Sequence, residues 1–221
     1  MPQPIFITGI GTDVGKTIVA AIVAEALQAD YWKPVQAGYE NGTDALEAKN
    51  LITNTRSVIH QELYKLSLAA SPHIAARKDN VKIDLGAIAK KCEQLSTENW
   101  QLETGKNLLV IEGAGGLLVP LNEDEFVIDL IQKLNAKVIL VSRNYLGSIN
   151  HSLLSAAVCK QQMINVVGWV FNDQYMNYED EIVRWSGYKK IASIPFAKEI
   201  NRSFIKQQAD KNKYVLTTFL K

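Results

Sequence analysis

The chain has 221 residues, of which 47% are hydrophobic and 21% are charged, a composition that excludes a disordered or fibrous protein. Lys and Arg number 24 against 23 for Asp and Glu, so the net charge of +1 lacks the basic excess typical of nucleic-acid binders. No stretch approaches the ~18 apolar residues of a membrane span, and the first residues show no basic signal-peptide region. We expect one soluble domain over residues 1–221, located in the cytoplasm, without a nucleic-acid or membrane partner.

Short apolar runs alternate with helical patterns along the chain. Strands are predicted at 5–8, 31–33, 108–111, 138–141, 166–170 and 191–194, and helices at 17–27, 44–52, 85–95 and 149–158. Val-, Ile- and Leu-rich strands that alternate with helices indicate an α/β fold of three layers, a parallel sheet with helices on both faces. Ligands of such folds bind at the carboxyl ends of the strands, so functional residues are expected just after each apolar run.

A glycine-rich loop from Gly9 to Thr17 (GIGTDVGKT) follows the first strand and leads into the first helix. In a phosphate-binding loop the glycines let backbone N–H groups face phosphate oxygens, Lys16 reaches the β- and γ-phosphates, and the Thr17 hydroxyl binds Mg²⁺. The spacing departs from G-x-x-x-x-G-K-[ST], which has four residues between its two glycines. Five residues separate Gly9 from Gly15, and three separate Gly11 from Gly15. A chance glycine-rich turn is the alternative interpretation.

The loop predicts a fold of the P-loop NTPase type, and its spacing points away from Ras-like GTPases. It is similar to the branch that contains partitioning ATPases, nitrogenase iron protein and several ATP-dependent ligases. Many ATPases of that branch carry an extra lysine four positions before the second glycine, where this chain has Gly11. That difference favours a ligase, and a partitioning-type ATPase switch that acts on a protein partner remains the alternative.

Polar residues stand at the ends of later apolar runs. Glu112 follows the run 108–111 and precedes Gly-Ala-Gly-Gly, where a second Mg²⁺ ligand is expected opposite the loop. Lys33 ends the second strand and could point into the same crevice or into solvent. Asp44 begins a helix and could be its N-cap. The pair Asn172–Asp173 could read a base edge or form an Asx-turn.

Seven segments together resemble the dethiobiotin synthetase family of ATP-dependent ligases. In family order they are residues 14–17, 33–35, 44–46, 71–73, 112–116, 146–151 and 168–172. The resemblance implies that carbon dioxide or bicarbonate supplies a carbamate on 7,8-diaminononanoate, that ATP phosphorylates it, and that the second amine closes a cyclic urea with release of ADP and phosphate. It also implies a homodimer. A corrinoid amidase-like ligase ranks last, because no glutaminase segment with a Cys–His pair is visible.

The resemblance also implies roles for individual residues. Lys33 resembles a catalytic lysine near the carbamate, Lys16 resembles a catalytic lysine on the phosphates, and the Mg²⁺ ligands would be Thr17, Asp44 and Glu112. The residues implied to contact ATP are Asp13, Val14, Gly15, Lys16, Thr17, Ile18, Asp44, Glu112, Gly113, Ala114, Gly115, Asn172, Asp173, Pro195, Phe196 and Ala197. Those implied to contact the diamine are Thr12, Lys33, Ala37, Gly116, Gly147, Ser148 and Asn150, with the segment 146–150 reaching the substrate carboxylate across the dimer interface.

Two stretches depart from the family pattern. Where the family usually reads Gly-Thr-Asp-Thr, this chain has Gly9-Ile10-Gly11-Thr12, which leaves the contacts of Thr12 and Asp13 open. Ala37 stands where the family often has Ser or Thr, so one substrate hydrogen bond of about 0.5–1.5 kcal/mol is missing. We expect weaker diamine binding there and not a loss of activity. The preferred nucleotide also stays open, since Asn172 could tolerate other bases.

The cysteines and two histidines do not predict a metal site. Cys92 and Cys159 form no Cys-x-x-Cys pair, so two buried or half-buried reduced thiols are expected. His73 and His151 have no metal-ligating partner at i+3 or i+4. Hydrogen bonding, or helix packing for His151, is therefore expected of them.

Overall fold

The computed structural model describes residues 3–98, 108–173 and 176–220. The strands of these residues are β1 Ile5–Gly9, β2 Asp30–Trp32, β3 Val35–Ala37, β4 Ile59–His60, β5 Tyr64–Leu66, β6 Leu109–Gly116, β7 Lys137–Arg143, β8 Val166–Asn172 and β9 Lys190–Ile194. The helices are α1 Lys16–Leu27, α2 Asp44–Leu51, α3 Pro72–Lys78, α4 Leu85–Glu98, α5 Val127–Lys133, α6 Ser148–Gln161, α7 Glu179–Ser186 and α8 Arg202–Leu220.

Seven of the strands form a parallel sheet in the order β4-β2-β6-β1-β7-β8-β9, with β1 in the centre. One face is covered by a core that includes residues of α1, α2 and α8. The other face is covered by a core that includes residues of α3 to α7, with Trp32 and Trp169 among its largest fully buried side chains. The predicted three-layer α/β architecture is confirmed. β3 and β5 form a separate two-stranded parallel pair.

The first helix is apolar nearly all round because it is buried on two sides. α1 packs on the sheet and is covered by α8, whose residues Ile205, Ala209, Leu216 and Leu220 are buried against it. A helix without a solvated face is typical of such a central position. The loop before α1 is thereby attached to one of the most completely buried helices of the fold.

The third predicted strand extends further than its apolar run. β6 continues through the glycines to Gly116, so Glu112 lies within the strand and not at its end. Pairing with β1 shifts on the way, since Ile7 lies opposite Glu112 while Gly9 lies opposite Gly116. Two steps along β1 therefore match four along β6, and the irregularity lets the glycine-rich stretch bend beside the loop.

The other predicted strands and helices are present with shifted ends, and the described residues form seven further elements that were not predicted. These are β3, β4, β5, α3, α5, α7 and α8. None of the helices among the described residues is long and apolar enough to cross a membrane. Because all seven strands of the main sheet are parallel, their carboxyl ends meet at one edge, and the loop after β1 lies there with Asn172 of β8.

Candidate functional site

The loop between β1 and α1 is held in shape by a residue from a distant strand. Gly15 has a left-handed backbone (φ 86°), and a Cβ added there would lie 2.3 Å from Asn172 Nδ2. The same amide donates hydrogen bonds to the carbonyl oxygens of Val14 (2.6 Å) and Gly15 (3.4 Å). Glycine is therefore required at position 15 both by its conformation and by the close approach of β8.

Lys16 lies at the start of α1 and turns back over the loop. Its ammonium donates a 2.8 Å hydrogen bond to the carbonyl oxygen of Gly11, and the residue is only 7% exposed. Burial lowers the pKa of Lys16, against the opposing effect of the Glu112 carboxylate. A cation that is poorly hydrated at a helix N-terminus is well suited to bind an anionic group such as phosphate.

A buried cluster of charges lies beside the loop, where the end of β2 reaches the middle of β6. Glu112 is 1% exposed, and its Oε1 accepts hydrogen bonds from the Thr17 hydroxyl (2.9 Å) and the Lys33 ammonium (2.9 Å). Its Oε2 accepts a 2.7 Å hydrogen bond from the Tyr31 hydroxyl. Lys33 also donates to the carboxylate of Asp44. Residues that are distant in the sequence thus share one polar centre.

Lys33 remains a cation in this cluster. Burial alone would lower the pKa of Lys33, but the neighbouring carboxylates of Glu112 and Asp44 outweigh it and hold the pKa above its ordinary value. The side chain therefore supplies a fixed positive charge and not a base at neutral pH. The alternative in which Lys33 is merely solvated is wrong, since the residue is 5% exposed.

Asp44 does not cap its helix. The N-cap of α2 is Thr43, whose hydroxyl accepts a 3.2 Å hydrogen bond from the amide of Leu46. The amide of Asp44 itself donates to Gln36 Oε1 at 3.2 Å, while its carboxylate turns to Lys33. The capping interpretation of Asp44 is therefore wrong, and the side chain is free to serve the charged cluster.

One cavity of about 830 Å³ joins the loop to this cluster. The predicted site residues that line it are Thr12, Asp13, Gly15, Lys16, Thr17, Ile18, Lys33, Ala37, Asp44, Glu112, Ala114 and Gly115. Gly113 and Gly116 do not line it: a Cβ at Gly113 would meet the Phe6 ring and one at Gly116 the carbonyl oxygen of Gly9. The structure therefore brings together both predicted catalytic lysines and all three predicted metal ligands.

A smaller, largely apolar cavity of about 230 Å³ lies on the other side of the loop, beyond the ends of β8 and β9. It contains the predicted nucleotide residues Asn172, Asp173, Pro195, Phe196 and Ala197, and it shares Asp13, Val14, Gly15 and Ile18 with the loop. Its apolar wall is completed by Ile194, Ile200 and Phe204. Flat apolar walls beside a phosphate loop suit a nucleobase.

The segment predicted to serve the substrate carboxylate is not part of the charged cavity. Gly147 is the N-cap of α6, and Ser148 is fully buried with its hydroxyl 2.7 Å from the Tyr178 hydroxyl. Asn150 is exposed, and Leu146 is 88% exposed. Leu146 instead lines a third cavity of about 970 Å³, which it shares with Arg143 and with the loop residues Thr12 and Asp13.

Several residues of the site were missed by sequence reasoning. Tyr31 hydrogen-bonds Glu112, and Gln36 hydrogen-bonds the amide of Asp44. Glu47 and Ser71 line the charged cavity. Of these, Tyr31 carried a signal, because it precedes Lys33 by two positions and alternate strand residues face the same side. Both histidines form hydrogen bonds, as expected. His73 Nδ1 lies 3.1 Å from the Ser71 hydroxyl, and His151 Nδ1 lies 2.7 Å from the Tyr145 hydroxyl.

The oxygen atoms that could coordinate a metal around the charged cavity fit a magnesium ion better than a softer metal. Thr17, Asp44 and Glu112 offer oxygen atoms, and the Lys33 ammonium between the two carboxylates shows that this position favours a cation. Among the described residues, no group of three or more His, Cys, Asp or Glu side chains could by itself hold a metal. Mg²⁺ at phosphate sites usually has only one or two carboxylate ligands, with water and phosphate completing its shell.

Comparison with known proteins agrees with this geometry. Residues 3–203 match a family model described as an AAA domain. The ATP-dependent dethiobiotin synthetase BioD of Cytophaga hutchinsonii is 48% identical over 208 residues, which cover 93% of this chain and 95% of the relative. The ATP-dependent dethiobiotin synthetase BioD of Christiangramia forsetii is 44% identical over 212 residues, which cover 96% of each.

Solved structures of low sequence identity share the fold. The septum site-determining protein MinD of Pyrococcus horikoshii OT3, complexed with Mg-ADP, superposes with a TM-score of 0.59 at 13% identity, covering 98% of this chain and 94% of MinD. A ParA family ATPase of Chlorobium tepidum TLS gives 0.56 at 12% identity, covering 98% and 92%. Sheet, loop and neighbours define a P-loop NTPase fold.

The sequence relatives narrow the class further. At 44–48% identity over nearly the whole chain, the likeness extends far beyond the fold. The chain belongs to the family of ATP-dependent dethiobiotin synthetases, and it is therefore an enzyme of the ligase type.

Proposed function

We propose that the protein joins carbon dioxide to 7,8-diaminononanoate with the energy of ATP and closes the cyclic urea of dethiobiotin. The observation that carries this proposal is the convergence of Lys16, Lys33, Thr17, Asp44 and Glu112 on one cavity beside the phosphate loop. Family membership supplies the reaction, and the cavity supplies the groups that the reaction needs. A partitioning-type switch is not favoured, because the ParA and MinD structures that share this fold are only 12–14% identical to the chain in sequence.

The phosphate end of ATP would lie on the loop before α1. The backbone N–H groups of residues 13–18 and the Lys16 ammonium would hold the β- and γ-phosphates, as helix N-termini with glycine-rich loops commonly do. Thr17, Asp44 and Glu112 would hold Mg²⁺. Bound Mg²⁺ would supply positive charge that neutralises the phosphate oxygens during transfer.

Lys33 would stabilise the carbamate and its phosphorylated form. The substrate amines are themselves the nucleophiles, so the protein needs no activated serine or cysteine. What it needs is fixed positive charge where negative charge develops, in a site with little water. Lys33 meets this need because it is buried, cationic and held in place by Asp44 and Glu112.

The adenine ring would occupy the apolar cavity beyond β8 and β9. Phe196 and Pro195 offer flat apolar surface there, and Asn172 places an amide at the mouth next to the loop. Asp13 and Gly15 line both cavities. ATP would therefore extend past these residues, from its adenine in the apolar cavity to its γ-phosphate in the charged cavity.

A second copy of the chain would complete the diamine site. The segment 146–150 does not reach the Lys33 cavity of its own chain, and Leu146 extends into solvent with 88% of its surface exposed. The N-terminus of α6, which follows Leu146, suits the carboxylate end of a substrate held by a partner, and the exposed leucine suits apolar contact between the two copies. The homodimer is therefore part of the proposal, and a strictly monomeric active enzyme would contradict it.

The proposal is tested by incorporation of isotopically labelled bicarbonate. Purified protein with ATP, Mg²⁺ and 7,8-diaminononanoate should yield acid-stable label in a cyclic urea, with one ADP per product. Omission of the diamine or of ATP should abolish the label. ATP turnover that is indifferent to diamine and bicarbonate, and that DNA or a protein partner stimulates, would instead support the switch.

A further inference from the structure

A buried phenol lies directly behind the carboxylate cluster. Tyr31 is in the middle of β2 and is 0% exposed, and its hydroxyl donates a 2.7 Å hydrogen bond to Glu112 Oε2. β2 and β6 are neighbours in the sheet, with Tyr31 opposite Val110. The tyrosine ring therefore approaches Glu112 from the interior of the protein and not from the cavity, whose lining does not include it.

The two oxygens of the Glu112 carboxylate have different partners. Oε1 accepts from Thr17 and Lys33, which both line the cavity, while Oε2 accepts from Tyr31. The terminal torsion of a glutamate side chain is broad, so donors at one oxygen alone leave the carboxylate plane poorly fixed. A rigid donor at the other oxygen removes this freedom.

The tyrosine hydroxyl is a dependable donor. Its partner is a carboxylate oxygen, which accepts and does not donate, so the phenol supplies the hydrogen of this bond. A phenylalanine would fill the same space in the core but would leave Oε2 of a buried carboxylate without this donor, which is costly.

We propose that Tyr31 is a positioning residue that holds Oε2 of Glu112 and thereby fixes the orientation in which Oε1 faces Thr17 and a bound Mg²⁺. The inference rests on the proposed function, in which Thr17, Asp44 and Glu112 bind the metal. Mutation of a residue that orients a metal ligand in this way typically lowers metal affinity or activity by roughly 10–100-fold. A merely structural tyrosine changes stability without changing the response to magnesium.

The variant Tyr31→Phe tests the proposal, since it retains the ring and removes only the hydroxyl. The Mg²⁺ concentration for half-maximal activity should rise about tenfold or more, while kcat at saturating Mg²⁺ stays near that of the wild type. Calorimetric titration should show weaker ATP binding with limiting Mg²⁺ and unchanged binding in EDTA. Tyr64→Phe is the matched control, because it removes a phenol that accepts a 3.0 Å hydrogen bond from Asp84 and does not line the cavity.

An unchanged magnesium response in folded Tyr31→Phe overturns the role of Tyr31. Glu112→Gln, assayed in parallel, separates this failure from failure of the proposed metal site. If Glu112→Gln responds to Mg²⁺ like the wild type, the metal site itself is wrong. If Tyr31→Phe does not fold, a crystal structure of the wild type with Mg-ADP decides: a retained Tyr31–Glu112 hydrogen bond supports the proposal, and a broken one overturns it.

Discussion

Two cavities flank the phosphate loop and are built in opposite ways. The charged cavity around Lys33 is called the crevice below, and the apolar cavity around Phe196 is called the pocket. In the crevice, Lys33 and Glu112 are 5% and 1% exposed and are paired with each other. In the pocket the walls are mostly apolar, and Phe196 is 66% exposed. Preorganised buried charge stabilises a transition state more than a ground state, whereas apolar contact with a base contributes equally to both. We therefore expect the crevice to determine kcat and the pocket to determine KM for ATP.

The largest expected effect comes from Lys33→Gln. Glutamine can still hydrogen-bond Asp44 and Glu112, but it removes the positive charge, so kcat should fall by about 10²–10³-fold. The dissociation constant of ATP, measured by calorimetry, should stay within about threefold of the wild type. Lys16→Gln is the comparison, because it removes an ammonium from the phosphate loop and should abolish ATP binding itself. Near-normal turnover in folded Lys33→Gln would remove this lysine from the catalytic groups.

The next effect should come from the pocket. Phe196→Ala removes an exposed aromatic wall, a loss of about 0.5–1.5 kcal/mol of ring contact, and KM for ATP should rise up to about tenfold. Because these contacts do not change during phosphoryl transfer, kcat should be unaltered. Steady-state kinetics over a range of ATP concentrations gives both values. A fall in kcat with unchanged KM would reverse the assignment of the two regions.

A smaller effect concerns the charge balance of the crevice. Glu47 is exposed overall, but its partial burial where it lines the charged cavity raises its pKa, and the carboxylates of Asp44 and Glu112 raise it further against the effect of Lys33. An acid whose folded pKa is raised binds protons more tightly in the folded state, so its ionised form destabilises the protein above that pKa. Glu47→Gln should therefore raise the melting temperature at pH 7, by less than about 2 °C for an exposed residue.

The pH dependence provides the check on Glu47. The gain in melting temperature should shrink as the pH falls through the titration of the carboxyl, where the wild type also becomes neutral at this position. Asp180→Asn is a suitable control, since Asp180 is an exposed acid on α7 that pairs with Lys190. A gain for Glu47→Gln that persists at acid pH would show that charge is not its cause.

The smallest effect is expected at the thiols, which lie outside both regions. Burial raises the pKa of Cys92 to about 11 and that of Cys159 to about 12. Thiolate is the reactive form, so both should resist a thiol reagent at pH 8 in the folded protein and react after unfolding in guanidinium. Rapid reaction of either thiol in the native state would contradict its burial. Both cysteines are free and buried, as the sequence predicted.

The parts of the site that the sequence predicted are those carried by local patterns. The loop from Gly9 to Thr17 is continuous with its strand and helix, so its position at the sheet edge follows from chain order alone. Lys33 and Glu112 were placed by the apolar runs just before them. The expectation that Glu112 ends its strand was wrong, because the glycines after it continue the pairing with β1.

The parts that were missed depend on tertiary contacts. Nothing local shows that Asn172 reaches across to the carbonyls of Val14 and Gly15, or that Gln36 holds the amide of Asp44. Strands as short as β3 and β5 show no measurable period. The helix α8 is different, since Ile205, Ala209, Leu216 and Leu220 recur at near-helical spacing, and this amphipathic pattern could have been recognised.

The most direct measurement of the division between the two regions is a single-turnover assay of labelled bicarbonate at saturating Mg-ATP and diamine. Wild-type protein and Phe196→Ala should form labelled cyclic urea at closely similar rates, while Lys33→Gln should be slower by about two orders of magnitude or more. Equal slowing of both variants, or slowing of Phe196→Ala alone, would contradict the claim that buried charge beside the loop performs the chemistry.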